Sequence, residues 1–224
     1  DASAAGPDSE GITIADNGYI YVASERDNAA KGVNQDKILK ADPNAEGPDI
    51  TASYEWDITD LIPSVSANMG IEAIEFVPNS EIAGKIIDKN TGAAYDPATY
   101  PDAESDGLFF VALEDNGHVY AFSLSSAGSG SATLVADIDA KMGGAMSLNY
   151  DTCTHVLWVG SDNGYGNKFS LITFNGTDQP DITFMAPPAG ISANTENNEG
   201  FCIADASYTV NGMRPVYWFE DGVS

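Results

Sequence analysis

The chain has 224 residues, with 34 Asp and Glu against 9 Lys and Arg, a formal charge of -25. At 43% hydrophobic and 19% charged it is too apolar for wholesale disorder, and it is long enough for one all-β domain with a sizeable core. So strong a negative field repels a polyphosphate and argues against nucleic acid as a partner, and no apolar run reaches the ~20 residues of a membrane-spanning helix.

Short alternating apolar runs bounded by Gly, Asn, Asp and Pro recur along the chain, and no long stretch carries a helical stripe. The first unit, about residues 8–62, opens at Glu10-Gly11-Ile12-Thr13-Ile14 and predicts a strand near Ile12–Ala15. Its second strand, "YIYVASE", closes on Glu25, and "KILKAD" and "SYEWDIT" read as the third and fourth. The second unit, about 69–139, opens at Glu72-Ala73-Ile74-Glu75-Phe76, with a strand near Ile74–Val77. An insertion of about residues 79–107, rich in Gly, Pro, Asp and Tyr, delays its second strand, "LFFVALE", which closes on Glu114; "HVYAFSL" and "LVADI" follow. The third unit, about 143–188, opens at Met146-Ser147-Leu148-Asn149-Tyr150, with a strand near Ser147–Tyr150. There "VLWVGSD" closes on Asp162, before "FSLITFN" and "ITFMAP". The fourth, about 196–224, opens at Glu199-Gly200-Phe201-Cys202-Ile203, with a strand near Phe201–Ala204, and its second strand, "PVYWFE", closes on Glu220.

The unit starts lie 62, 74 and 53 residues apart, and four strands per unit at a period near 50 is the pattern of propeller blades. The expected fold is therefore all-β, a β-propeller of four-stranded blades with about three and a half blades covered. An ordinary β-sandwich is the competing reading. In a propeller the first strand of each blade lines the central channel. Glu10, Glu72 and Glu199 should then meet at one channel mouth, with Asn198 and Asn68 close in sequence. Gly11 and Gly200 would let the backbones crowd at that narrow end. The acids that close the second strands, Glu25, Glu114, Asp162 and Glu220, are expected as a second ring, at the opposite end of the adjacent strands or in the loops beyond. The insertion should lie on one rim, where Tyr95 and Tyr100 would suit a ligand.

The segments "EGITIADNGYIYVASERDN", "NMGIEAIEFVPN", "GLFFVALEDNGHVYAF", "NNEGFCIAD" and "RPVYWFEDG" resemble the esterase-like-phytase family and the related SdiA-regulated-like propellers. The resemblance runs over nearly the whole chain outside the insertion. It implies a six-bladed propeller, a secreted, cell-surface or periplasmic location, and handling of phosphate esters. The third unit departs from it, with Ala145-Met146-Ser147 where the others carry the glutamate. A chain that starts at Asp1 and covers three and a half blades reads as part of something larger. The remainder of the propeller is expected from further chain or from another subunit, since an open arc exposes sheet edges and apolar faces.

Carboxylates held together repel, and a hard cation relieves them by taking six to eight oxygen ligands. Ca2+ is thus the expected metal, on Glu10, Glu72 and Glu199 with Asn198 nearby. Arg26 could orient an anionic group or simply pair with Glu25 or Asp27. Asp88-Lys89-Asn90-Thr91-Gly92 has the alternation of a calcium loop but no closing glutamate, and turn chemistry explains it better. There is no Gly-x-Ser-x-Gly elbow; His118 reads as a packing or surface residue, and Cys153 and His155, two apart on a turn, would point different ways as a nucleophile pair. Cys153 and Cys202 could form a disulfide if the strand–turn offset allows it. Two functions stay open: non-catalytic binding of a glycan, a protein or a surface ligand at the channel mouth with calcium bound, or a calcium-dependent phosphoesterase.

Overall fold

The computed structural model describes residues 6–47, 50–187, 189–190 and 192–221. The ends of the third and fourth predicted units, residues 188 and 222–224, fall outside them. Strands β1 (Pro7–Ile14), β2 (Ile20–Asp27), β3 (Lys37–Ala41) and β4 (Tyr54–Asp57) pair antiparallel in chain order as the first sheet. The chain then runs through β5 (Ile71–Pro78), a helical turn α1 (Asn79–Ile82) and a small hairpin of β6 (Ile87–Asp88) and β7 (Ala93–Ala94). With β8 (Gly107–Leu113), β9 (His118–Ser125) and β10 (Ser131–Asp139), β5 forms the second sheet. A third holds β11 (Ser147–Asp151), β12 (Val156–Gly160), β13 (Phe169–Thr173) and β14 (Asp181–Met185), and a fourth the pair β15 (Asn198–Ile203) and β16 (Val216–Glu220). Each sheet is a meander, so the short turn chemistry of the sequence sets its register. Between β1 and β2, for example, Gly18 takes φ +80°, a left-handed turn conformation that side chains with a Cβ adopt with strain. No helix among the described residues is long and apolar enough to cross a membrane.

The sheets pack face against face. The second is covered on both sides, and β8 shows how a period-2 strand serves two cores. Its Phe109, Val111 and Leu113 enter one cluster with Tyr21, Ile38 and Trp56 of the first sheet. Leu108, Phe110 and Ala112 enter another with Leu148, Leu157 and Val159 of the third. Aromatic rings fill the next interface: Phe201 lies 4.7 Å from Phe169 and 5.7 Å from Trp158, and 5.6 Å from Trp218 on its own sheet.

A side-chain relay links the innermost strands. Thr13 Oγ1 accepts the Phe76 N–H at 3.1 Å, Glu75 Oε1 the Tyr150 N–H at 2.9 Å, and Asn149 Oδ1 the Ile203 N–H at 3.0 Å. Thr13, Glu75 and Asn149 hold the same place in their units, and so do the three amides. Burial pushes the Glu75 carboxyl up to about 7 even with these bonds.

Three expectations are corrected. The two tyrosines of the insertion do not face a ligand. Tyr95 is only 3% exposed in the core beside Ile82 and Ile86 and donates to Asn79, while Tyr100 packs against that core and donates to Asp88 Oδ2 at 2.8 Å. The segment uses its aromatics as packing because α1 and β6 lie against the second sheet, where Ile82, Ile86 and Tyr95 join its core. Cys153 and Cys202 are both free and exposed. Phe201 faces the third sheet, so alternation turns Cys202 to the other face, away from the sheet that carries Cys153. Finally, β1, β5 and β15 start before their predicted limits, so each glutamate lies inside its strand. The Asp88–Gly92 segment is a turn: Asp88 Oδ1 accepts the Asn90 N–H at 2.8 Å, and Gly92 has φ +69°.

Candidate functional site

In β1–β2 the pairing steps from Ser9↔Ser24 to Gly11↔Ala23, in β5–β8 from Ile71↔Leu113 to Ala73↔Ala112, and in β15–β16 from Asn198↔Glu220 to Gly200↔Phe219. The residue skipped each time is Glu10, Glu72 or Glu199, the extra residue of a β-bulge. A bulge takes one residue out of the in–out alternation and re-aims it. The β11–β12 ladder begins just after Met146, at Ser147↔Gly160, and the Met146 N–H also donates to the Gly160 carbonyl at 2.8 Å. Together the four openings, Met146 included, line a cavity of about 150 Å3. Gly11 is needed there: a Cβ on it would come within 2.7 Å of Ala73 Cα and Ile74 N.

The acids of the second strands share this end of the molecule, which corrects their expected place. Antiparallel pairing sets the end of β2 beside the start of β1, with Asp8 opposite Arg26. Oxygens of Asp8, Glu10 and Glu25 lie within 4.8 Å of one another, the closest carboxylate trio among the described residues. Glu10, Glu72 and Glu199 form no such tight trio among the described residues. Arg26 bridges two of the close trio, with Nη2 2.5 Å from Asp8 and Nη1 2.7 Å from Glu25, and it also donates to Asn68 at 2.6 Å. The arginine is thus held in an ion pair.

Burial is the largest cause of raised carboxyl pKa values here, and mutual repulsion adds to it. The Glu72 carboxyl is pushed up to about 9, with Glu10, Glu25, Glu114 and Glu199 as the repelling neighbours. Glu10 rises to about 7 beside Asp8, Glu25 and Glu199, and Arg26 opposes the shift. Glu114 rises to about 7 through burial, then Glu25, Asp162 and Glu199. Glu25 is also raised by burial, against the Gly70 N–H at 3.2 Å and Arg26. Glu199 is raised by burial and then Asp221, while Asn197 donates to it at 2.7 Å. Asp162 keeps one buried oxygen without a partner, as Asn198 does its Nδ2. Glu220 meets the group only through its pairing with Asn198.

The result is one carboxylate cluster at one end of the inner strands. Asp8 was not singled out in the sequence, although the first unit begins there. His118 pairs with Asp137 and His155 with Glu81, each at 2.6 Å, and neither histidine lines the cavity. No family model and no curated protein matches the chain.

Proposed function

We propose that the chain is an arc of a secreted or cell-surface β-propeller that binds calcium among these carboxylates and holds a glycan, a protein or a surface ligand over that mouth, without chemistry at it. The observation that carries this reading is the convergence of three bulged glutamates on a cavity lined by no histidine and no cysteine. At about 150 Å3 it is small for an organic ligand and suits an ion with water. The donor set fits Ca2+: hard oxygens that already bind protons more tightly than usual for want of positive charge. Glu10 belongs to both the close trio and the cavity, so it would be the shared ligand, with Asp8, Glu25, Glu72 and Glu199 around it. Bound calcium supplies a positive centre that attracts an anionic ligand oxygen.

The propeller itself is supported by position. Ile74, Leu148 and Phe201 occupy one place in the repeat, and each packs against the preceding sheet. Ile12 occupies that place in the first unit and is 66% exposed. Further blades, from more polypeptide or another subunit, would cover it. A second functional reading, calcium-dependent phosphoester hydrolysis as the family resemblance implies, draws on Glu10 and Glu114. Both titrate near 7 and could protonate a leaving alkoxide.

Calorimetric titration with calcium tests the site. Glu10→Gln should weaken affinity by about tenfold or more and Glu72→Gln or Glu199→Gln by less, while Glu46→Gln, in an exposed loop, should change nothing. Unchanged affinity in all three glutamate variants would sink the calcium reading. Phosphate release from phytate or simple phosphomonoesters, lost in Glu10→Gln, would favour the second function over the first.

A further inference from the structure

Beside the cluster, between the β10–β11 and β12–β13 loops, lies a separate cleft of about 450 Å3. Lys141, Met142, Gly164, Tyr165, Lys168 and Phe184 line it. Two of the nine basic residues of a very acidic chain thus border one opening. Lys141 Nζ is 2.5 Å from Asp139, but among the described residues no carboxylate pairs with Lys168. The Tyr165 ring is seated flat on Gly143 and Gly144, since a Cβ on either would come within 2.4 Å of it. Phe184 shares its register position with Ser170, and thus its sheet face with buried Val159 and Leu148, yet it is 56% exposed. One wall, Gly164, abuts the carboxylate of Asp162.

The open phenyl ring is poorly served by water, and the exposed Lys168 ammonium is left free of any carboxylate among the described residues to meet an anion. Together they match a sugar-sized ring with a C–H face for Phe184 and one anionic group for Lys168. The surrounding acids repel a long polyanion but leave room for a small one. We propose that this cleft binds a single saccharide ring carrying one anionic group, a carboxylate or a phosphate. The proposal goes beyond the reading above, at a different site, and needs no calcium.

Calorimetry in calcium-free buffer, with glucuronate, glucose 6-phosphate, glucose and inorganic phosphate as probes, tests it. Both charged sugars should bind and glucose should not. Lys168→Gln should weaken both charged sugars by about tenfold or more, the loss of a charge-assisted hydrogen bond. Phe184→Ala should weaken the sugars while leaving any binding of phosphate alone unchanged. Both substitutions are at the surface, and unchanged melting temperatures will show that the variants fold. Absence of binding by both charged sugars, equal binding of glucose, or undiminished binding in Lys168→Gln would overturn the proposal. Calcium titration of the same preparation is read separately. Sugar binding without calcium binding defeats only the metal site.

Discussion

Among single side chains, Glu72 has the most to say about stability. Its carboxyl titrates near 9 in the folded chain and near 4.5 when unfolded. Between those values the folded state holds the proton more tightly, so stability is greatest below pH 4.5 on this account and is lost as pH rises toward 9. Glu10 and Glu114, near 7, act in the same direction over a narrower window. In calcium-free buffer the melting temperature should therefore fall between pH 5 and pH 9. Glu72→Gln should flatten that fall and raise the midpoint at pH 8 by a few degrees, the equivalent of roughly 1 kcal/mol. A pH profile identical to the unsubstituted chain would show that Glu72 is not held in a repelling cluster. The three glutamates were legible in the sequence because the repeat prints them. The bulges were not, since an extra residue is defined only against the partner strand.

At the level of strands, the relay makes each inner strand depend on a side chain of the one before it. Asn149→Ala leaves the partly buried Ile203 N–H without its acceptor, at a cost of about 0.5–1.5 kcal/mol. The damage should be local. Amide hydrogen exchange should speed up in β15 and β16 and stay unchanged in β8 and β9; uniform acceleration would mean that the bond has no such directional role. The strands themselves were legible, because alternation and turn residues agree at nearly every hairpin. Tyr95 was misread for a physical reason: a Gly- and Pro-rich insertion suggests exposure, yet any aromatic there gains more from closing an adjacent core than from facing water.

Among the described residues, two sheet faces are left open. Ile12 and Ile14 are 66% and 65% exposed on the first sheet, and Tyr217 and Phe219 are 51% and 67% exposed on the fourth. One is the kind of face that each later sheet sets against its predecessor, the other the kind that each earlier sheet sets against its successor. Residues 1–224 alone should self-associate in sedimentation velocity. Ile12→Glu and Phe219→Glu should each reduce that association, because a charge on either face blocks apolar contact. A monomer unaffected by concentration would count against the proposal that further polypeptide covers these faces. This openness could be anticipated from three and a half repeats. That the Cys202 side would end in exposed aromatics could not, since "PVYWFE" alternates just as a covered strand does.

The bulges also separate two kinds of heritable change. Because Glu199 is surplus to the β15–β16 ladder, removing the residue altogether leaves Asn198↔Glu220 and Gly200↔Phe219 as consecutive pairs. Deletion, usually the harsher lesion inside a strand, should here be gentler on folding than most substitutions in the neighbouring core. The mouth can thus gain or lose a carboxylate by the length of the chain alone, while the wall behind it stays the same.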